Sequence, residues 1–363
     1  MSASLTVLLL LPLLLALFSA CNSSQTFSLP TRTLPENAEQ QKFGSFRYKV
    51  YDDNTILLTE YRGEEAELVI PDTIEGKKVV ALAESMFFQN ATLTSIRFGK
   101  YLEVVGERCF TQCAKLANVE INQKLWSIGA YAFDGTTWLD SLIEPEQTES
   151  TPSDTVGETE TAEETAPPKK DPASDFLIVG DGVLLRYLGS DQNVVLPDTV
   201  RHISSAFVMS DIISVTLSDS VYTIGEYAFS FCTSLSLVEF SPNLLLIDQG
   251  AFYGCTSLTS LVLPQTLKKI GHSAFNECLY LNSVRLSESL ESIGEYAFYN
   301  CAQLRMIYLP TGIKRIPMGV FEECLALELL LFGGDEAEFK AISIDTTNYR
   351  LLDATIVYNA INP

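Results

Sequence analysis

The sequence predicts an α/β repeat solenoid with one parallel β-sheet face. Three observations predict it: a 23-residue spacing kept by four columns at once, a strand-like alternation inside each unit, and a unit too small to bury its own apolar face.

The spacing is clearest in the C-terminal half, where Ile-Gly-x-x-Ala-Phe-x-x-Cys-x-x-Leu recurs. Phenylalanines stand at Phe229, Phe252, Phe275, Phe298 and Phe321, and cysteines at Cys232, Cys255, Cys278, Cys301 and Cys324. Leu235, Leu258, Leu281, Leu304 and Leu327 keep the same interval, as do Ile224, Ile247, Ile270, Ile293 and Ile316. The N-terminal half repeats it at Phe87, Phe110 and Phe133 and at Leu93, Leu116 and Leu139, and Phe207 opens the second block one residue short. The reading is nine repeats, three before an irregular middle stretch and six after it.

Within a unit, segments such as Leu281-Asn282-Ser283-Val284-Arg285-Leu286 alternate apolar and polar residues as a short half-buried strand does. Pro264 and Pro310 follow such segments and end them. The Ala-Phe-x-x-Cys part fits a helical turn or an irregular arc. Stacking then places the strands in one parallel sheet about 4.8 Å apart. The Cys column packs inward as small apolar filler with free thiols, because Thr136 and Asn90 occupy it in other repeats; Cys109 with Cys113 is the pair best placed to depart from this.

The motif resembles the BspA-like leucine-rich repeats of bacterial surface proteins, from about Phe46 to Asn359. The resemblance implies a leucine-rich-repeat solenoid capped at both ends. Phe46-Arg47-Tyr48-Lys49-Val50 with Thr59-Glu60-Tyr61-Arg62-Gly63 is similar to that family's N-terminal capping hairpin, and Gly333-Gly334-Asp335 through Ala354-Thr355-Ile356-Val357-Tyr358-Asn359 to its C-terminal cap.

At the N-terminus, Leu5 to Ala20 is an apolar run interrupted by Pro12, shorter than a membrane span, and reads as a signal peptide. Leu17-Phe18-Ser19-Ala20-Cys21 resembles a bacterial lipoprotein box, which implies lipidation of Cys21 and anchoring on the extracellular face of a bacterial envelope. The alternative is secretion after cleavage beside Ala20. The expected partition is signal peptide 1–20, flexible tether 21–42, cap and three repeats 43–143, disordered acidic stretch 144–172, hairpin and six repeats 173–330, and C-terminal cap 331–363. The acidic stretch is nearly free of apolar residues and is read as a linker or a bulging loop. Phe176 to Val179 and Val183 to Tyr187 flank Gly180-Asp181-Gly182 as a hairpin, and that lone GxG is a turn and not a nucleotide cradle.

A formal charge of -22 argues against nucleic acid. His202 and His272 sit in different repeats without acid or cysteine partners at metal spacing, so no catalytic, cofactor or metal site is expected. A site is sought on the outward strand positions, whose columns run Ser95, Asn118, Ser141, Ser214, Leu237, Ser260, Ser283, Met306, Leu329 and Arg97, Glu120, Ile143, Thr216, Glu239, Val262, Arg285, Tyr308, Leu331. Met306, Tyr308, Leu329 and Leu331, with Arg285 and Val262 beside them, form the candidate surface for a protein partner on another cell or in the extracellular matrix. The function so read is a cell-surface binding or adhesion module without catalysis; the alternative is a structural spacer of the envelope with no specific ligand.

Overall fold

The computed structural model describes residues 27–143 and 175–361. The signal peptide, the Cys21 lipidation site and the acidic stretch 144–172 lie outside the described residues. Residues from Arg32 onward form one compact unit. The expected tether ends inside it: Arg32 pairs with Asp53 at 2.8 Å and Glu103 at 2.7 Å, and Gln41–Phe43 forms a strand.

That strand opens an antiparallel sheet with Phe46–Val50 and Ile56–Tyr61. Tyr48, Ile56 and Leu58 alternate inward from it and are buried, as the period of a half-buried strand requires. Ile56–Tyr61 then pairs in parallel with Lys77–Leu82, which converts hairpin geometry into the stacking direction of the repeats.

The parallel face follows as strands of three or four residues in register. One group joins Glu67–Val69, Ser95–Arg97 and Asn118–Glu120; a second joins Asn193–Val195, Ser214–Thr216 and Leu237–Glu239; a third joins Ser260–Val262, Ser283–Arg285, Met306–Leu309, Leu329–Phe332 and Thr355–Val357. A second ladder, of two-residue strands at the repeated isoleucine, runs from His202–Ile203 through Thr223–Ile224, Leu246–Ile247 and Lys269–Ile270 to Ser292–Ile293. The segment joining the two ladders is the arc expected around Ala-Phe-x-x-Cys, and in the described repeats it is made of turns. Residues in the left-handed region recur twice along it, for example Tyr227 (φ 54°) with Phe231 (φ 59°) and Tyr296 (φ 59°) with Asn300 (φ 52°).

The phenylalanine column is a stack of nearly parallel rings. From Phe207 to Phe298 neighbouring centroids are 4.9 to 5.2 Å apart, and all these rings are buried. Beside it the cysteines do more than fill space. Cys232, Cys255, Cys278, Cys301 and Cys324 donate their S–H groups to the carbonyls of Phe207, Phe229, Phe252, Phe275 and Phe298, one repeat back, at 2.9 to 3.3 Å. Cys113 does the same to Phe87. Burial raises the Cys113 thiol to about 11 and the Cys232 thiol to about 12. The seven described cysteines are all free and buried. An exposed-thiol reagent at pH 8 is therefore expected to leave them unlabelled in the folded protein and to label all of them in guanidinium; rapid labelling of any one in native buffer would contradict the packing.

Repeat three departs from expectation. Ser141 and Ile143, read as outward strand positions, lie in an α-helix, Thr137–Ile143. Thr136 stands at the Cys position there, and its hydroxyl accepts from Leu139 N at 3.2 Å while donating to Phe133 O at 2.7 Å, which caps a helix in place of starting a strand. Trp138 packs on Phe133 at 4.7 Å and ends the ring stack of the first block.

The second block abuts this end. Phe176–Val179 and Val183–Tyr187 form an antiparallel hairpin, and Asp181 N donates to Leu125 O at 2.8 Å. Val183 and Leu185 are buried within the core of the first block, whereas Leu184 belongs to the core of the second. Tyr187 caps Phe207, with ring centroids 5.2 Å apart. At the far end, Thr355–Val357 adds the last rung, and buried Asn348 donates to Pro317 O and accepts from Phe321 N. No described helix is long and apolar enough to cross a membrane.

Candidate functional site

Alternation along each three-residue strand sends the central residue inward and its two neighbours outward. The register therefore aligns Ser260, Ser283, Met306, Leu329 and Thr355 in one outward row and Val262, Arg285, Tyr308, Leu331 and Val357 in the other. All six sequence-selected residues share this one sheet.

Their exposure differs. Val262 is 63% exposed, and Arg285, Met306, Leu329 and Leu331 are half-buried. Tyr308 is 3% exposed and is not an open contact. Its hydroxyl reaches the Glu288 carboxylate, and a Cβ on Gly333 would come within 2.6 Å of that hydroxyl, so the ring lies down over the glycine and not out from the sheet. Burial, reinforced by Glu288, drives its phenol well above the ordinary value. Thr355–Val357 pairs with the Leu329 strand and flanks Leu329 and Leu331.

The structure draws attention to a neighbouring place. The strands Leu237–Glu239 and Ser260–Val262 belong to different sheets, so the ladder is interrupted between them. Phe240 occupies a position held by Leu217, Leu263 and Leu286 in other repeats; its larger ring stays half-exposed, edge-on to Phe252 at 6.0 Å. Leu237 is 53% exposed on one lip and Val262 projects from the other. Leu237 was already an outward position in the sequence, but an interruption leaves no mark in a 23-residue period. Val195, 68% exposed, and Val69 lie on strands that the repeat register omitted.

A second, enclosed polar feature lies where the blocks meet, a cavity of about 100 Å³ lined by His202, Thr223, Glu226 and Asp248 among others. Ala130 N donates to Glu226 across the joint at 3.2 Å. Burial, with Asp248 adding repulsion, lifts the Glu226 carboxyl to about 7, and burial lowers the His202 imidazole to about 3. Among the described residues no group of three or more His, Cys, Asp or Glu side chains is arranged to hold a metal ion.

The model of the family described as BspA type leucine rich repeat region matches residues 70–167 and 201–328, with six copies. No curated protein matches the chain. Among solved structures, the chain is similar to the T. pallidum leucine rich repeat protein, at 19% identity over 89% of this chain and 100% of that one, with a TM-score of 0.32. It is also similar to a leucine rich cell surface protein from Faecalibacterium prausnitzii A2-165, at 19% identity over 85% and 98%, with a TM-score of 0.31. The pneumococcal vaccine antigen PcpA is similar at 15% identity over 89% and 99%, with a TM-score of 0.45.

Proposed function

The chain belongs to the BspA-type leucine-rich-repeat family, and from that premise we propose that it is a protein-binding module displayed on the bacterial cell surface. The signal-peptide pattern from Leu5 to Ala20 supports export, and the lipoprotein-box pattern ending at Cys21 supports a lipid anchor. The observation that carries binding is the pair of exposed apolar side chains, Leu237 and Val262, which stand diagonally on the two strands that border the interrupted ladder. Isolated surface apolar residues need no explanation, but these two, followed past Ser283 and Arg285 by half-buried Met306, Leu329 and Leu331, line one strand face with apolar groups. The partner is a protein of the extracellular matrix or of another cell.

The test compares the purified protein with Leu237→Glu/Val262→Glu for binding to immobilised decellularised matrix and to intact bacterial cells, after circular dichroism shows both folded. Binding by the wild type weakened at least about tenfold in the variant is expected, since each introduced carboxylate would be desolvated without a partner at an apolar contact. Equal binding removes this face from the function; no binding by either protein turns the reading to the spacer.

A further inference from the structure

We propose that a groove on the arcs where the two blocks meet is a carbohydrate-binding subsite for neutral pyranose units, hexose or N-acetylhexosamine. The groove encloses about 380 Å³, within the range of small-ligand clefts. It lies between the two strand ladders in each turn, away from the Leu237–Val262 strip, and is independent of the protein-binding reading.

Its walls are aromatic. Tyr131 from the first block and Tyr227 from the second have ring centroids 6.4 Å apart, and Phe231 and Tyr253 meet edge-on at 5.0 Å. Tyr131, Tyr227 and Phe231 all sit at left-handed backbone positions, which bulky side chains rarely occupy. The next turn makes room for two of them. A Cβ on Gly250 would stand 2.5 Å from the Tyr227 ring, and one on Gly254 would stand 2.9 Å from the Phe231 ring. Each ring thus rests on the backbone of the following rung, and Phe231 remains 42% exposed.

Polar groups stand at the ring edges. Gln249 Nε2 donates to the Tyr227 hydroxyl at 2.8 Å, and the Tyr253 hydroxyl donates to Glu277 at 3.2 Å. Arg108 and Glu107, which also line the groove, pair with each other at 3.5 Å, so their charges offset locally. Among the described residues no aliphatic side chain lines the groove. A peptide anchor seeks aliphatic walls as well as rings; a sugar needs flat ring faces for its C–H surface and donors and acceptors for its hydroxyls. Aromatic faces with amide, hydroxyl and imidazole edges match the sugar.

The test titrates the purified protein with chitotriose, cellotriose and mannotriose, read by saturation-transfer NMR and calorimetry. Saturable binding of at least one, with Kd on the order of 0.1–1 mM, is expected. Tyr253→Ala and, separately, Gln249→Ala are expected to weaken it about tenfold with the thermal midpoint preserved, and Leu237→Glu/Val262→Glu to leave it unchanged. The Gln249 side chain donates to the edge of Tyr227, while its backbone carbonyl, which accepts from Tyr227 N at 2.9 Å, is unchanged in the alanine variant, so the rungs stay tied. No saturable binding of any of the three sugars overturns the proposal. So does sugar binding that neither groove variant weakens, or matrix-protein binding lost on Tyr253→Ala without any sugar binding, which assigns the groove to a protein.

Discussion

Replacing Phe275 with alanine is expected to destabilise the protein by about 3–5 kcal/mol, a large part of the stability of an ordinary domain. The ring is fully buried and stacks on Phe252 at 5.2 Å and on Phe298 at 5.1 Å, with interplanar angles of 2° and 5°. Its removal leaves a void bounded by two further rings that the hydrogen-bonded rungs hold in place, so little collapse can refill it. In a solenoid each repeat is supported by its neighbours alone, so a loss at the middle of the second block weakens two interfaces at once. Phe275→Leu keeps most of the volume and should cost less. Guanidinium denaturation followed by circular dichroism measures both variants; a loss below about 1 kcal/mol for the alanine would show that the ring stack is not what organises the core.

Gly294→Ala is expected to cost about 1–3 kcal/mol, although it adds a single methyl group. A Cβ at Gly294 would stand 2.4 Å from His272 N, 2.5 Å from Gly271 C and 2.7 Å from Gly271 O, all backbone atoms of the preceding rung. The rungs are tied there by Gly294 N donating to Ile270 O at 2.8 Å and by the pairing of Ile293 with Ile270, so they separate only by stretching the ladder. The glycine is favoured here by close approach and not by backbone conformation, since its φ is not in the left-handed region. Asp248 and Pro317 occupy the same column in other repeats, which sets the cost at a local shift and not at unfolding. Gly312→Ala is the control: its nearest contact would be Leu290 O at 3.0 Å, and its effect should stay within about 1 kcal/mol. Thermal unfolding of the pair decides the matter; equal midpoints would mean that the rung spacing yields freely.

The outward rows of the strand face were legible in the sequence because a side-chain period of two is imposed by the strand itself. Exposure within those rows was not legible. Tyr308 is outward by register yet closed over Gly333 and Glu288, whereas Leu237, in the other outward row beside the interrupted ladder, stands open. The closure of Tyr308 depends on residues in other parts of the turn and in the next rung. The helix at Thr137–Ile143 was missed for a local reason: a threonine in the cysteine column supplies a cap, and capping outweighed the repeat pattern.

By itself the sequence determined the repeat length, the parallel stacking and the inward columns of Phe, Leu, Ile and Cys, because a unit of this size has one way to bury that many apolar groups at a constant interval. Only the tertiary structure decided the rest. The thiols acquired carbonyl acceptors one repeat back, the glycines of one rung received the rings of another, and the joint between blocks brought Tyr131 against Tyr227 across 96 residues of chain, the separation that also links Ala130 to Glu226. Each of these is a contact between rungs. A periodic pattern specifies what every rung shares, and the sites arise where neighbouring rungs differ.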